Sequence, residues 1–243
     1  MKHGLASLQN PTRKSESMKL DQWMTEFYGM PWYRLYSMDD PMLCKQEGLY
    51  ELRVSSDDVL GIIEAQKHGF SLVESFIEFV TKVEPSQEEY EGIRLMNKLD
   101  HSFISALNEQ SMCQNEGYRT RFNNPIFFDE NACKNYYGAA ITNNINDPNV
   151  LTAVVEFGNE VVGFFMLKIV DQQTCKGLMT GVIPKARGMK FHIKMQQFLI
   201  NHIGHSFTLI NTTQLSNLAV VKNHIRSNRS LSKIEHIFYK KVQ

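Results

Sequence analysis

Residues 177–203, GLMTGVIPKARGMKFHIKMQQFLINHI, decide the architecture. Leu178 to Ile183 is apolar and β-prone, and Pro184 stops it, so residues 178–183 are predicted as a strand. Lys185-Ala186-Arg187-Gly188 then makes a tight basic loop. Beyond it Phe191, Met195, Phe198 and Leu199 fall on one face of a helix that Gly204 caps. A loop that opens a helix leaves backbone N–H groups unpaired, and the helix dipole makes that point mildly positive. Such an end suits a phosphate or pyrophosphate, and Arg187 and Lys190 add charge there. The alternative is an ordinary strand–helix connection with an exposed basic turn.

The run Val182-Ile183-Pro184-Lys185-Ala186-Arg187-Gly188-Met189-Lys190-Phe191-His192 resembles the acetyl-CoA loop of the GCN5-related N-acetyltransferases, V-x-P-x-x-R-G-x-G-x-G. Gly188 matches the first glycine, and Lys190 and His192 stand at the second and third. Glycines there let a pyrophosphate approach the backbone, and side chains obstruct it, although Lys190 is attracted to phosphate. The resemblance implies that Val182, Ile183, Arg187, Gly188, Met189, Lys190, Phe191 and His192 bind acetyl-CoA, with the Val182 N–H at the thioester oxygen. It also implies a fold of class α/β (α+β): a central mixed, mostly antiparallel sheet flanked by helices.

A second run resembles the same family's N-x-x-A-x-x-x-Y-x-x-x-G-F. It reads from Asn217 to Arg229, with Val220 at the alanine, His224 at the tyrosine and Asn228 at the glycine. Asparagine is the next best residue for a left-handed helix end. By the resemblance, Asn217 holds the pantetheine arm or orders a water, and His224 is the general acid toward the leaving sulfur. An imidazolium with the ordinary pKa of about 6.5 suits that task near neutrality. Otherwise His224 is a solvent-facing histidine on a terminal helix.

Outward from these runs, the second half is predicted as β-α-α-β-β-β-α-β-α-β, the order of that family. Its parts are a strand at 92–97, helices at 100–107 and 130–142, strands at 150–157 and 161–170 joined by Gly158-Asn159, the strand–loop–helix above, a strand at 207–212, a helix at 217–226 and a strand at 234–240. Residues 110–117 read as a loop. In the first half, strands are expected at 33–37, 50–54 and 70–82. Ser55 or Ser56 caps a helix with Asp57 and Asp58 in its first turn, running to His68 and stopping at Gly69. Pro85-Ser86-Gln87 marks the expected boundary between a smaller N-terminal α/β domain, residues 1–86, and an acetyltransferase domain, residues 87–243. The first 17 residues read as a flexible polar leader.

The 243 residues carry 26 basic and 26 acidic side chains, a net charge of zero that argues against nucleic acid or an anionic membrane as main partner. There is no run of 18 apolar residues for a membrane span, and a cytoplasmic location is expected. Cys44, Cys113, Cys133 and Cys175 are scattered, which suggests neither zinc, disulfides nor a nucleophile. His202 and His205, three apart, are read as capping the end of their helix, and no metal is expected.

Four further runs resemble the TDP-fucosamine acetyltransferase group: Trp23 to Gly29 its W-x-S-E-F-F-G, Gly69 to Glu74 its G-F-x-x-V-E, Thr120 to Asn123 its S-R-F-H, and Thr213 to Asn217 its T-Q-x-x-N. This resemblance implies N-acetylation of a nucleotide-linked 4-amino-4,6-dideoxy sugar by direct transfer from acetyl-CoA. Arg121 is then placed at the nucleotide diphosphate, or is a surface arginine. Two readings compete: an acetyltransferase of another amine, peptide or small metabolite, which would tolerate loss of residues 1–86, and a non-catalytic binding module. A homodimer through an exposed C-terminal edge strand is a further expectation.

Overall fold

A computed structural model describes residues 17–37, 44–108 and 120–243. In chain order the elements are β1 Met18–Leu20, α1 Gln22–Tyr28, β2 Trp32–Leu35, β3 Gly48–Ser55, α2 Val59–Lys67, β4 Ser71–Val83, β5 Ile93–Leu95, α3 His101–Asn108, α4 Ala132–Ile145, β6 Val150–Phe157, β7 Glu160–Asp171, β8 Thr174–Val182, α5 Phe191–Ile203, β9 Phe207–Gln214, α6 Leu218–Arg226 and β10 Ser230–Val242. From β5 onward this is the predicted order, element for element. The proposed leader up to residue 16, the loop at 110–117 and Cys113 lie outside the described residues.

The chain forms two compact units. The first comprises Met1–Val54, Asp58–Ser71 and Phe238–Gln243. Here β1 pairs antiparallel with β2, and β2 pairs parallel with β3. Leu35, Tyr50, Leu52, Val54, Ala65, Phe70 and Phe238 form its core. The cap of α2 is Asp58, whose carboxylate accepts from Gly61 N at 2.8 Å, and neither Ser55 nor Ser56. The helix therefore begins one turn later than the serines suggest, and the aspartates precede it.

The second unit comprises Ser55–Asp57 and Leu72–Ile237. Its strand order is β10-β4-β9-β8-β7-β6-β5. Pairs β4–β9, β5–β6, β6–β7 and β7–β8 are antiparallel, and β8–β9 is parallel. The β6–β7 hairpin turns on Gly158 and Asn159, both left-handed at φ 63 and 61, as a two-residue turn of matching twist requires. Val154, Val155, Phe164, Met166, Met195 and Leu199 are fully buried members of one apolar core.

Two expectations change. The units divide after Ser71, ahead of the polar break at 85–87, because Phe76–Val83 of β4 pairs residue for residue with β9. Removing residues 1–86 therefore deletes a strand of the second unit. The C-terminal strand is also not left free: in the second unit β10 lies beside β4, and its last residues, Phe238–Val242, belong to the first unit.

Candidate functional site

The site begins where two strands part. β8 and β9 pair from Thr174↔Thr208 to Gly177↔Asn211 and no further, although β8 runs on to Val182 and β9 to Gln214. Just at the fork β8 carries a bulge: Met166 faces Met179 and Leu167 faces Gly177, leaving Leu178 as the extra residue. A Cβ on Gly177 would lie 2.3 Å from Asn211 Oδ1, so any other residue there must displace the amide. The gap opens into a cavity of about 540 Å³ lined by both free strand ends.

At the far end of β8, Ile183 N donates to Val162 O at 3.0 Å. The alternation of an antiparallel ladder then turns the N–H and C=O of Val182 outward, toward the gap. The Val182 carbonyl accepts from Arg187 Nε at 3.2 Å. Gly188 has φ 84, and Lys190, at the head of α5, has φ 58. A lysine thus adopts the conformation a glycine would hold at less cost. No side chain caps α5, so its first N–H groups point out at the loop.

Of the residues expected to bind acetyl-CoA, Val182, Arg187, His192 and Asn217 line the cavity, together with His224 and Arg121. Gly188, Met189 and Lys190 lie exposed on the loop. Ile183 is buried with its N–H committed to β7, and Phe191 packs against Phe157 at 5.9 Å. Neither of these two reaches the cavity wall. Asn217 spends its side chain on the α6 N-cap, accepting from Val220 N at 3.4 Å.

His224 is buried, its ring 4.7 Å from that of Phe79. Burial, the Arg229 guanidinium and the neighbouring His192 push its pKa down to about 4. Burial and Arg229 also hold His192 at about 4. Both rings are therefore neutral at pH 7, which overturns the expectation of an imidazolium near pKa 6.5. Asn228 takes φ 52, the left-handed end foreseen for it. The next residue, Arg229, donates from Nη2 to Gln196 Oε1 at 2.9 Å, and its buried Nη1 has no partner.

The cavity is also lined by Glu74 and Phe76 of β4, Arg121 and Phe122 of a single 3₁₀ turn, and Tyr136 and Tyr137 of α4. Arg121 N donates to Glu74 Oε1 at 3.3 Å. The Arg121 guanidinium lies 4.9 Å from the Phe122 ring centre and 5.8 Å from that of Phe76. Buried at 7% exposure, Arg121 is not a surface arginine. Glu74 is the one carboxylate lining the cavity among the described residues. Sequence reasoning gave no role to Glu74, Asn211, Gln196 or Arg229. The available signals were a glutamate in a β-rich run, an asparagine inside the apolar strand at 207–212 and an arginine where the family pattern has phenylalanine.

Among the described residues no group of three or more histidine, cysteine or acidic side chains is placed to hold a metal, and no helix is long and apolar enough to cross a membrane. Cys133 and Cys175 are buried, and burial raises the Cys175 thiol.

No family profile matches this chain, and no curated protein matches it in sequence. Solved structures do match in shape. A GCN5-related N-acetyltransferase from Sphaerobacter thermophilus superposes with a TM-score of 0.56 at 13% identity, over 81% of this chain and 61% of that one. This chain thus matches less than two thirds of that protein's length. A functionally unknown conserved protein from Staphylococcus epidermidis gives 0.61 at 12% identity, over 88% and 85%. A GCN5-related N-acetyltransferase from Kribbella flavida gives 0.53 at 9%, over 88% and 82%. At such identities the likeness is one of fold: a mixed sheet flanked by helices, the fold of the GCN5-related N-acetyltransferases.

Proposed function

We propose that this chain is an N-acyltransferase that uses a coenzyme A thioester, acetyl-CoA being the simplest, and acts on the amine of a nucleotide-linked 4-amino-4,6-dideoxy sugar. The observation that carries the first part is the β8–β9 fork, which offers unpaired backbone along one strand and leads to an open helix N-terminus. The fit to coenzyme A is favourable at these points. Val182 presents an outward N–H, Arg187 stands at the strand end, and the loop from Gly188 to His192 meets the positive end of the α5 dipole. Lys190 adds a cation, and Asn217 fixes the start of α6. The bound thioester supplies an activated acyl group.

The other residues handle the amine. A sugar amine must be neutral to attack, and Glu74 is the carboxylate positioned to take its proton. Phe76, Phe122 and Tyr136 give flat apolar faces for a sugar or base, and Arg121 beside them offers a cation to the diphosphate. His224 acts as a neutral imidazole, donating one N–H to the leaving sulfur rather than carrying a stored proton. The sequence runs shared with the TDP-fucosamine group support the sugar, and the aromatic wall is compatible with it.

Titration calorimetry with acetyl-CoA tests this first. Micromolar binding, weakened about tenfold in Arg187→Ala, is expected. Turnover of a TDP-4-amino sugar, reduced in His224→Phe and Glu74→Gln, is expected next. Absence of binding up to millimolar acetyl-CoA overturns the proposal. A second reading, a non-catalytic binding module, is favoured by one observation: the His192 side chain occupies the cavity wall at the place of the third glycine.

A further inference from the structure

Between α5 and α6 the cavity wall is built from donors. Gln196, Asn211 and His224 are each buried, and with His192 they line the cavity. Arg229 stands behind them, hydrogen-bonded to Gln196. Asn211 is opposite Phe79 in the β4–β9 ladder, the same phenylalanine on which His224 stacks, so amide and imidazole share one face of the sheet. Two donors in this cluster are buried and unpaired, Asn211 Nδ2 and Arg229 Nη1. No salt bridge or hydrogen bond joins Arg229 to a carboxylate among the described residues. Burial alone lowers its pKa, the mark of a cation held without a counter-charge. Each neutral imidazole adds one N–H.

Unpaired buried donors are costly, and the Asn211 amide on the wall, with the half-buried Arg229 guanidinium behind Gln196, asks for an anion with several acceptor oxygens. The anion end of the cofactor already has its place at the mouth, on the α5 N-terminus. Asn211 lies instead at the fork, five residues back along β8 from Val182, or about 17 Å of strand. A chain that lies along the free edge of β8 from the mouth reaches the fork with its acyl end, so the Val182 N–H meets the arm near the mouth and not the thioester oxygen, where the resemblance had put it.

We infer that the preferred donor carries a carboxylate at the far end of its acyl group, as in a succinyl-type thioester, and that Arg229 and Asn211 bind it. The inference rests on the reading of the β8–β9 gap as a coenzyme A thioester site. Planar guanidinium and amide groups suit a carboxylate better than they suit a methyl group, which would leave every donor unpaired.

The test is calorimetric binding of free coenzyme A, valeryl-CoA and succinyl-CoA to the full chain. The two acyl groups are similar in length and differ in the terminal charge. Succinyl-CoA is expected to bind roughly 10- to 100-fold tighter than valeryl-CoA. In Arg229→Gln and in Asn211→Leu that preference falls below about threefold, while free coenzyme A binds as in the parent. Equal affinity for the two thioesters overturns the inference and leaves the donor site standing. So does Arg229→Gln weakening free coenzyme A as much as succinyl-CoA, for the arginine then serves the cofactor's own phosphates. If free coenzyme A does not bind, the donor reading and the inference fall together. Melting curves establish that each variant is folded, and either variant alone suffices.

Discussion

A single proton separates what His224 can do from what its residue type suggests. With folded pKa values of about 4 and unfolded values near 6.5, His224 and His192 bind fewer protons folded than unfolded across that window. The stability they allow is fully present above pH 6.5 and is lost as pH falls toward 4. For buried His224 the loss is on the order of 3 kcal/mol. Urea midpoints measured at pH 7.5 and pH 5 should drop in the parent and drop less in His224→Phe; parallel curves would refute a buried neutral ring. Lys190 offers a second residue-level test. Its φ of 58 suits glycine, so Lys190→Gly should stabilise by roughly 0.5 kcal/mol, whereas β-branched Lys190→Val should cost about 1–2 kcal/mol by thermal melting. The sequence identified both positions by their place in a pattern. It did not show that Arg229 sits near His192 and His224, because the Gln196–Arg229 contact spans two elements and 33 residues.

Elements were legible where local chemistry sets them. Gly158-Asn159 announced its hairpin, and Gly204, at φ 79 with its N–H on Ile200 O, ended α5 as foreseen. The fork was not legible, because the point at which two strands whose partners are 34 residues apart stop pairing leaves no local signature. Gly177→Ala tests that fork: a methyl group 2.3 Å from Asn211 Oδ1 must displace the amide, so donor affinity should fall about tenfold or more with little change in helix content. At α2 the usual gain from replacing a helical glycine should vanish. A Cβ on Gly61 would come within 2.2 Å of the capping Asp58 carboxylate, so Gly61→Ala trades about 1 kcal/mol of helix propensity for about 1 kcal/mol of cap. A near-zero change in denaturation midpoint is expected, and Asp58→Ala alone should cost about 1 kcal/mol.

Across the whole chain, composition bounded the molecule and said little about its construction. A zero net charge and an apolar fraction of 42% fit a folded α/β protein, but no polar break marks the division after Ser71. The first unit also takes in a piece of chain that sequence order assigns to the second. Phe238 and Tyr239 are buried there, with Tyr239 Oη 3.5 Å from Glu51 Oε2 and its ring against Trp32 at 5.5 Å. Deleting residues 238–243 should therefore expose tryptophan and lower the melting temperature by several degrees, read by fluorescence. That return of β10 has a temporal side. The segment that completes the first unit is made about 170 residues after Ser71. At bacterial or eukaryotic translation rates of about 5–20 residues per second, the nascent chain carries an unfinished N-terminal unit for roughly 10–30 s. Tyr50, Leu52 and Phe70 then lack the contact with Phe238 that completes their core, and their apolar surface stays open to aggregation for that interval.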